Sequence, residues 1–300
     1  MHYLGIEIGG TKLQLGIGPG DGTLAGLWRG AVEPAAGADG IRRQITAALP
    51  ELLAKSGVER SQLKGVGIGF GGPVDDATHK VIKSHQIEGW DNFPLADWIA
   101  DVVGLPAALG NDADVAGLAE ALHGAGKGLS PIFYITIGSG IGGGLIIHGE
   151  IYRGVGRGAA EIGHLHVEDQ QGRRLILEEV ASGWGISRRA EEVFGRRLTA
   201  GEVAAATQQG DARAAALLNQ AWDRLAEGIC HVIALLCPRR IIMGGGVSLM
   251  GEQVLFAPLR KLVAERVFKP FAGLTDIVPA ALGEEVVVHG AIALARKKLA

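Results

Sequence analysis

Residues 133–147, FYITIGSGIGGGLII, read as an apolar strand, a glycine-rich turn at Gly138, Ser139 and Gly140, and a second apolar strand. So many glycines leave backbone N–H groups bare, and a concavity of amides suits phosphate oxygens. The same residues also suit a tight β-hairpin whose glycines merely supply positive φ. An echo at the start of the chain favours the phosphate reading. Residues 3–17, YLGIEIGGTKLQLGI, are again strand, turn at Gly9-Gly10-Thr11, strand. Two hairpins of one design imply two similar α/β halves, with a nucleotide's phosphates held between the two glycine turns.

The bulk composition agrees with a folded protein. Three hundred residues, 47% hydrophobic and 20% charged, are enough for one large domain or two ordinary ones with sizeable cores. A net charge of −3 gives no field suited to nucleic acid or an anionic membrane. Cys230 and Cys237 lie seven apart in a helical stretch and form neither a C-x-x-C motif nor a disulfide framework. Met1-His2-Tyr3 runs straight into the first strand, so no signal peptide is expected, and no stretch has the apolar length of a membrane span. A cytoplasmic protein is the expectation.

Along the chain, strands are expected at 3–8, 12–18 and 23–32, and a helix over 39–56 from apolar residues at threes and fours. KGVGIGF at 64–70 reads as a strand whose glycines run on into the loop 71–75, at a strand's carboxyl end where ligands sit in open α/β sheets. A helix starts at Pro94, a brief strand covers 105–109, and Asn111-Asp112 opens a helix over 115–123. Asn111 and Asp112 suit helix capping, and equally a carboxylate held at a strand–helix junction. Glu161 and His164 share a face if helical; if extended, His164 and His166 do. No third metal ligand stands at recognisable spacing, and residues 168–175 read as a loop. The longest helix, 211–236, carries a core stripe from Leu218 to Leu236 and stops at Pro238. A strand at 240–246 ends in three glycines, a helix follows at 249–265, Val286–Val288 closes a strand, and a basic helix covers 289–299.

With these residues in hand the sequence resembles the ROK sugar kinases, which include bacterial glucokinases. The resemblance rests on EIGGTK at 7–12, GPVD at 72–75, the Gly89-Trp90 to Pro94-Leu95 segment, NDA at 111–113 and GSGIGGG at 138–144. It continues in EIGH at 161–164, Glu178 to Ser182-Gly183, and MGGGVS at 243–248. It implies an α/β fold of two similar actin/hexokinase-like (ribonuclease H-like) domains flanking an interdomain cleft. These are a small N-terminal domain, 1–113, completed by the C-terminal helix 288–300, and a large domain, 114–287. It further implies ATP-dependent phosphorylation of a hexose at its 6-hydroxyl, with Asp112 as the base. Gly71, Asn111, Glu161, His164 and Glu178 are then the sugar's other neighbours. Gly9, Gly10, Thr11, Lys12, Gly138, Ser139 and Gly140 would hold the ATP phosphates, Gly244 and Gly245 the adenosine. Mg²⁺ would be met by Glu7, directly or through water, and the resemblance also implies a homodimer.

Three departures bear on that picture. The acidic residue of the first hairpin, usually Asp in the family, is Glu7, and Mg²⁺ demands near-ideal octahedral geometry. Residues 165–178 contain no cysteine where many members hold zinc, so no structural zinc is expected. The loop that is commonly N-L-P-G-W is Gln86-Ile87-Glu88-Gly89-Trp90 with His85 beside it, and Gly71 replaces the usual proline before GPVD. The hexose need not be glucose. Two other functions compete: a ROK-type sugar sensor with weak or lost turnover, and a kinase using a donor such as polyphosphate. A DNA-binding repressor is disfavoured because the sequence opens on the first strand.

Overall fold

A computed structural model of the chain describes residues 1–75, 77–84, 86–169 and 171–299. His85 therefore lies outside the described residues. The strands are β1 (His2–Ile8), β2 (Lys12–Gly18), β3 (Gly26–Ala31), β4 (Leu63–Phe70), β5 (Val74–Asp75), β6 (Lys80–Val81), β7 (Ala107–Asn111), β8 (Ile132–Ile137), β9 (Ile141–Ile147), β10 (Glu150–Ile151), β11 (His166–Glu168), β12 (Arg174–Ile176), β13 (Arg240–Gly244) and β14 (Asp276–Pro279). The helices are α1 (Gly37–Ser56), α2 (Leu95–Val103), α3 (Asp112–His123), α4 (Leu177–Ala181), α5 (Gly183–Phe194), α6 (Ala200–Gln208), α7 (Ala212–Leu236), α8 (Ala257–Arg266) and α9 (Val286–Leu299).

Two five-stranded sheets follow one plan, β3-β2-β1-β4-β7 and β10-β9-β8-β13-β14. In the first, β1, β2 and β3 pair antiparallel and β1, β4 and β7 pair parallel. In the second, β8, β13 and β14 pair parallel. The mixed α/β fold expected from the two hairpins is what the chain forms. By contacts the chain divides into two compact units. One comprises 1–128, 144–159 and the residues from Leu282 on; the other comprises 129–143 and 160–281.

In the first unit, one sheet face presents Leu4, Ile6, Ile8, Leu13, Leu15, Ile17, Val66, Ile68 and Phe70, all buried with α1 and α2. The opposite face carries glycines, Gly5, Gly16, Gly67 and Gly69, beside Tyr3, Glu7 and Gln14. A Cβ on Gly67 would lie 1.8 Å from the Ala291 carbonyl oxygen, and one on Gly5 would lie 2.7 Å from that of Val288. Helix α9 therefore rests on bare strand backbone. The alternate glycines of KGVGIGF serve this contact, rather than only feeding the loop that follows. Val286–Val288, expected as a strand, is the first turn of α9. Its β-branched residues are buried here, and packing outweighs their strand preference.

The second unit is built around α7, whose Leu218, Trp222, Leu225, Ile229 and Val232 are buried. Leu236, expected in the same stripe, is exposed at the helix end. Trp222 donates its indole N–H to the Val254 carbonyl at 2.8 Å. The single helix expected over 249–265 is instead a 3₁₀ turn at Gly246–Met250, a π turn at Glu252–Phe256, and α8. Gly251, with φ of 76°, separates the first two. The expected loop 168–175 joins a hairpin: Glu168 ends β11, and Arg174 and Leu175 open β12. Asp169 closes it, accepting the Gln171 and Arg173 N–H groups at 2.9 Å each and the Arg173 Nε–H at 2.7 Å. Among the described residues, no helix is long and apolar enough to cross a membrane.

The glycine face is testable by denaturation. Gly67→Ala should cost on the order of 3 kcal/mol or prevent folding, because backbone rather than a movable side chain blocks the added carbon. Gly201→Ala in α6, where nothing lies within 4 Å, should be neutral or stabilising by up to about 1 kcal/mol.

Candidate functional site

In the first unit, β1 and β2 meet at Gly9–Thr11, where the Gly9 N–H donates to the Lys12 carbonyl at 3.0 Å. Glu7 and Gln14 are cross-strand partners, so their side chains leave the sheet on one face. The Lys12 ammonium lies 3.0 Å from Glu7 Oε1 and donates to the Glu284 carbonyl at 3.1 Å. Gln14 donates to the same carbonyl at 3.2 Å. Lys12, expected on phosphate, is thus engaged with Glu7 and the segment leading into α9. Gln86, in the altered loop, lies against Gly10: a Cβ there would fall 1.5 Å from Gln86 Oε1.

Glu7 is only 5% exposed, and its Oε2 has no hydrogen-bond partner among the described residues. Burial pushes its carboxyl up to about 7; Lys12 opposes this, and the neighbouring Asp112 and Glu284 carboxylates add to it. An orphaned buried carboxylate oxygen fits a hydrated cation, so the residues present suit Mg²⁺ met through water. Among the described residues, no group of three or more His, Cys, Asp or Glu is arranged to hold a metal directly.

Asn111 and Asp112 stand where β7 ends and α3 begins. Asn111 is the N-cap: its Oδ1 accepts the Ala113 and Asp114 N–H groups at 2.9 and 3.3 Å. Its Nδ2 donates to the Gly72 carbonyl at 3.1 Å, tying the end of β7 to the loop after β4. Asp112 occupies the first helical position, and its Oδ1 accepts the Ala113 N–H at 2.8 Å. Capping therefore falls to Asn111 and leaves Asp112 oriented at the helix end that favours negative charge. Gly71 borders this carboxylate: a Cβ on it would meet Asp112 Oδ2 at 3.5 Å, an ordinary van der Waals contact. Asp75 of GPVD shapes its turn by accepting the Ala77 and Thr78 N–H groups, both at 3.1 Å.

In the second unit, the Gly138 N–H donates to the Gly140 carbonyl at 3.0 Å and closes the turn. Glu178 of α4 reaches the turn: its Oε2 accepts the Ile141 N–H at 2.7 Å, and a Cβ on Gly140 would strike that oxygen. Glu161 precedes and His164 ends a 3₁₀ turn, Ile162–His164, with His164 Nδ1 and Glu161 Oε2 4.0 Å apart. Of the two sequence alternatives the helical one holds, in 3₁₀ form, and the two side chains meet across it. Burial raises the Glu161 carboxyl, His164 opposes this, and Glu178 adds to it. The fold thus gathers Gly138–Gly140, Glu161, His164 and Glu178. Gly244 ends β13 and Gly245 follows it beside them: Gly245 has φ of 83°, and a Cβ on it would sit 2.5 Å from the Ile137 carbonyl oxygen. The contacts made by Glu178, by Gln86 and by Asn111 on Gly72 leave no mark in residue spacing.

Comparison with known proteins completes the picture. The ROK family model matches residues 3–298. The glucokinase of Thermotoga maritima is 30% identical, with 100% of this chain and 98% of that protein aligned. The ROK hexokinase of Thermus thermophilus superposes with a TM-score of 0.85 at 27% identity, covering 99% of each chain. A ROK family glucokinase from Streptomyces griseus, solved with glucose and AMPPNP, gives a TM-score of 0.79 at 30% identity, covering 99% of this chain and 100% of that one.

The Glu7 carboxyl makes a signed prediction. Its folded value, about 7, exceeds the ordinary 4.5, so the native state holds the proton more tightly. Its contribution to stability is therefore present at low pH and lost as pH rises from 4.5 through 7. Metal-free melting of the parent and Glu7→Gln should show the parent losing on the order of 2 kcal/mol relative to the variant between pH 5 and 8. A difference independent of pH would show the carboxylate ionised throughout.

Proposed function

The chain belongs to the ROK family and is a sugar kinase, and we propose that it transfers the terminal phosphoryl group of ATP to the 6-hydroxyl of a glucose-like hexose. The observation that carries this reading is Asp112, a carboxylate oriented at the start of α3 while Asn111 performs the capping. As general base, Asp112 takes the proton from the attacking hydroxyl as its oxygen bonds to phosphorus. The leaving oxygen departs with ADP. Glu161, His164 and Glu178 accept or donate hydrogen bonds to the other hydroxyls, and Glu178 is already fixed by the Ile141 N–H. Sugar hydroxyls donating to Glu161 offset the burial that raises its carboxyl.

Gly9–Lys12 and Gly138–Gly140 take the phosphates, with Thr11, Lys12 and Ser139 adding side-chain contacts, and Gly244–Gly245 lie by the adenosine. Glu7 would hold Mg²⁺ through water, and the bound ion would neutralise charge on the transferring phosphates. The ATP analogue and glucose in the Streptomyces griseus structure support this donor and acceptor. We further infer a cytoplasmic homodimer, which light scattering on the purified protein tests by mass.

A second reading, a sugar sensor with weak turnover, draws on Glu7. Its ion pair with Lys12 at 3.0 Å occupies one carboxylate oxygen and the lysine together. A coupled ADP-release assay over hexoses, amino sugars and N-acetyl sugars decides between the two. Sugar-dependent ADP supports the kinase and names its substrate; sugar binding with no ADP supports the sensor, unless polyphosphate replaces ATP as donor. Asp112→Asn should lower kcat by about 100-fold or more with sugar affinity nearly intact. Retained turnover removes Asp112 from the role of base. Glu7→Asp should lower the Mg²⁺ requirement or raise turnover; no change would mean the pocket has re-formed around glutamate.

A further inference from the structure

Helix α5 begins against the 138–140 turn through backbone alone. The Gly183 N–H donates to the Gly138 carbonyl at 2.8 Å, and the Trp184 N–H to the Ser139 carbonyl at 3.2 Å. A Cβ on Gly183 would lie 2.7 Å from the Gly138 oxygen, so only glycine permits this approach. Ser182 secures the helix start by accepting the Gly185 N–H at 3.0 Å. Residue 184 is thereby fixed beside the turn, and it is a tryptophan left 50% exposed, whereas Trp90 and Trp222 are buried.

Resting on the nucleotide donor proposed above, we propose that Trp184 is the stacking platform for the base of that donor. The turn has two ends with different neighbours. Its Gly140–Ile141 end faces the Glu178 carboxylate, which belongs to the sugar-binding set. Its Gly138–Ser139 end accepts the backbone N–H groups of Gly183 and Trp184, and nothing lies within 4 Å of the position a Gly138 Cβ would take. The backbone of residue 184 is therefore fixed at the end of the turn away from the sugar residues, and its indole is left half exposed there. Phosphate alone has no use for an aromatic face, whereas a planar base stacked on it recovers the apolar surface left in water.

The test uses the full chain with Trp184→Ala and Trp184→Phe, both at an exposed position. AMPPNP binding is measured by calorimetry, with inorganic tripolyphosphate as the base-free probe. Alanine should weaken AMPPNP about tenfold, and phenylalanine should restore it to within about threefold. Tripolyphosphate affinity and the KM for hexose should not move. Unchanged AMPPNP affinity in Trp184→Ala overturns the proposal, as does equal weakening of both probes. A loss that falls on hexose KM, or a parent that binds no nucleotide, overturns it too. A parent that binds AMPPNP through Trp184 yet forms no ADP would support the platform and sink the kinase reading alone.

Discussion

The first unit depends on a helix laid directly on strand backbone. Gly5, Gly16, Gly67 and Gly69 face α9, and at each the missing Cβ is the space that α9 occupies. Along β4, Val66, Ile68 and Phe70 alternate with these glycines and fill the core on the other side. One period-two pattern thus separates an apolar face from a bare one. Gly290 extends the same logic within α9, since a Cβ there would lie 1.8 Å from the Val115 carbonyl of α3. The close approach also brings the Glu284 carbonyl to Lys12 and Gln14, so the glycine face sets the position of Lys12.

Charge is handled differently in the two units. In the first, Glu7 is buried at a strand end beside one ammonium, and its second oxygen has no partner among the described residues. In the second, Glu178 is held by a backbone N–H donor beside the turn it supports. The hairpin at 166–176 follows the second pattern, with Asp169 accepting from backbone and guanidinium in a segment without cysteine. Carboxylates here often act as structural acceptors first, and among the described residues Glu7 Oε2 is an exception.

Much of this was legible from residues alone. The two glycine hairpins, α7 and its stop at Pro238, and the strand–helix junction at Asn111-Asp112 all follow from local pattern. Such features are set by neighbours close in sequence. Val286–Val288 was not legible, because three β-branched residues favour a strand until a glycine face and α3 make a helix the better burial. The 249–265 segment reads as one helix, yet Gly251 interrupts it. The Glu7–Lys12 pair is close in sequence but depends on a longer acid where the family usually has aspartate. Glu178 on Gly140, and Trp184 on Ser139, are long-range contacts that no window of residues contains.

Helix α9 has a consequence for how the protein is made. The sheet it covers begins at His2, yet the helix starts at Val286. On a ribosome the early strands emerge with their glycine face open to water, and they wait through most of translation for their cover. The second unit, complete by residue 281, can gather its own core first. A chain stalled before residue 286 would expose a wide strip of unshielded strand backbone, the kind of surface that chaperones and proteases recognise.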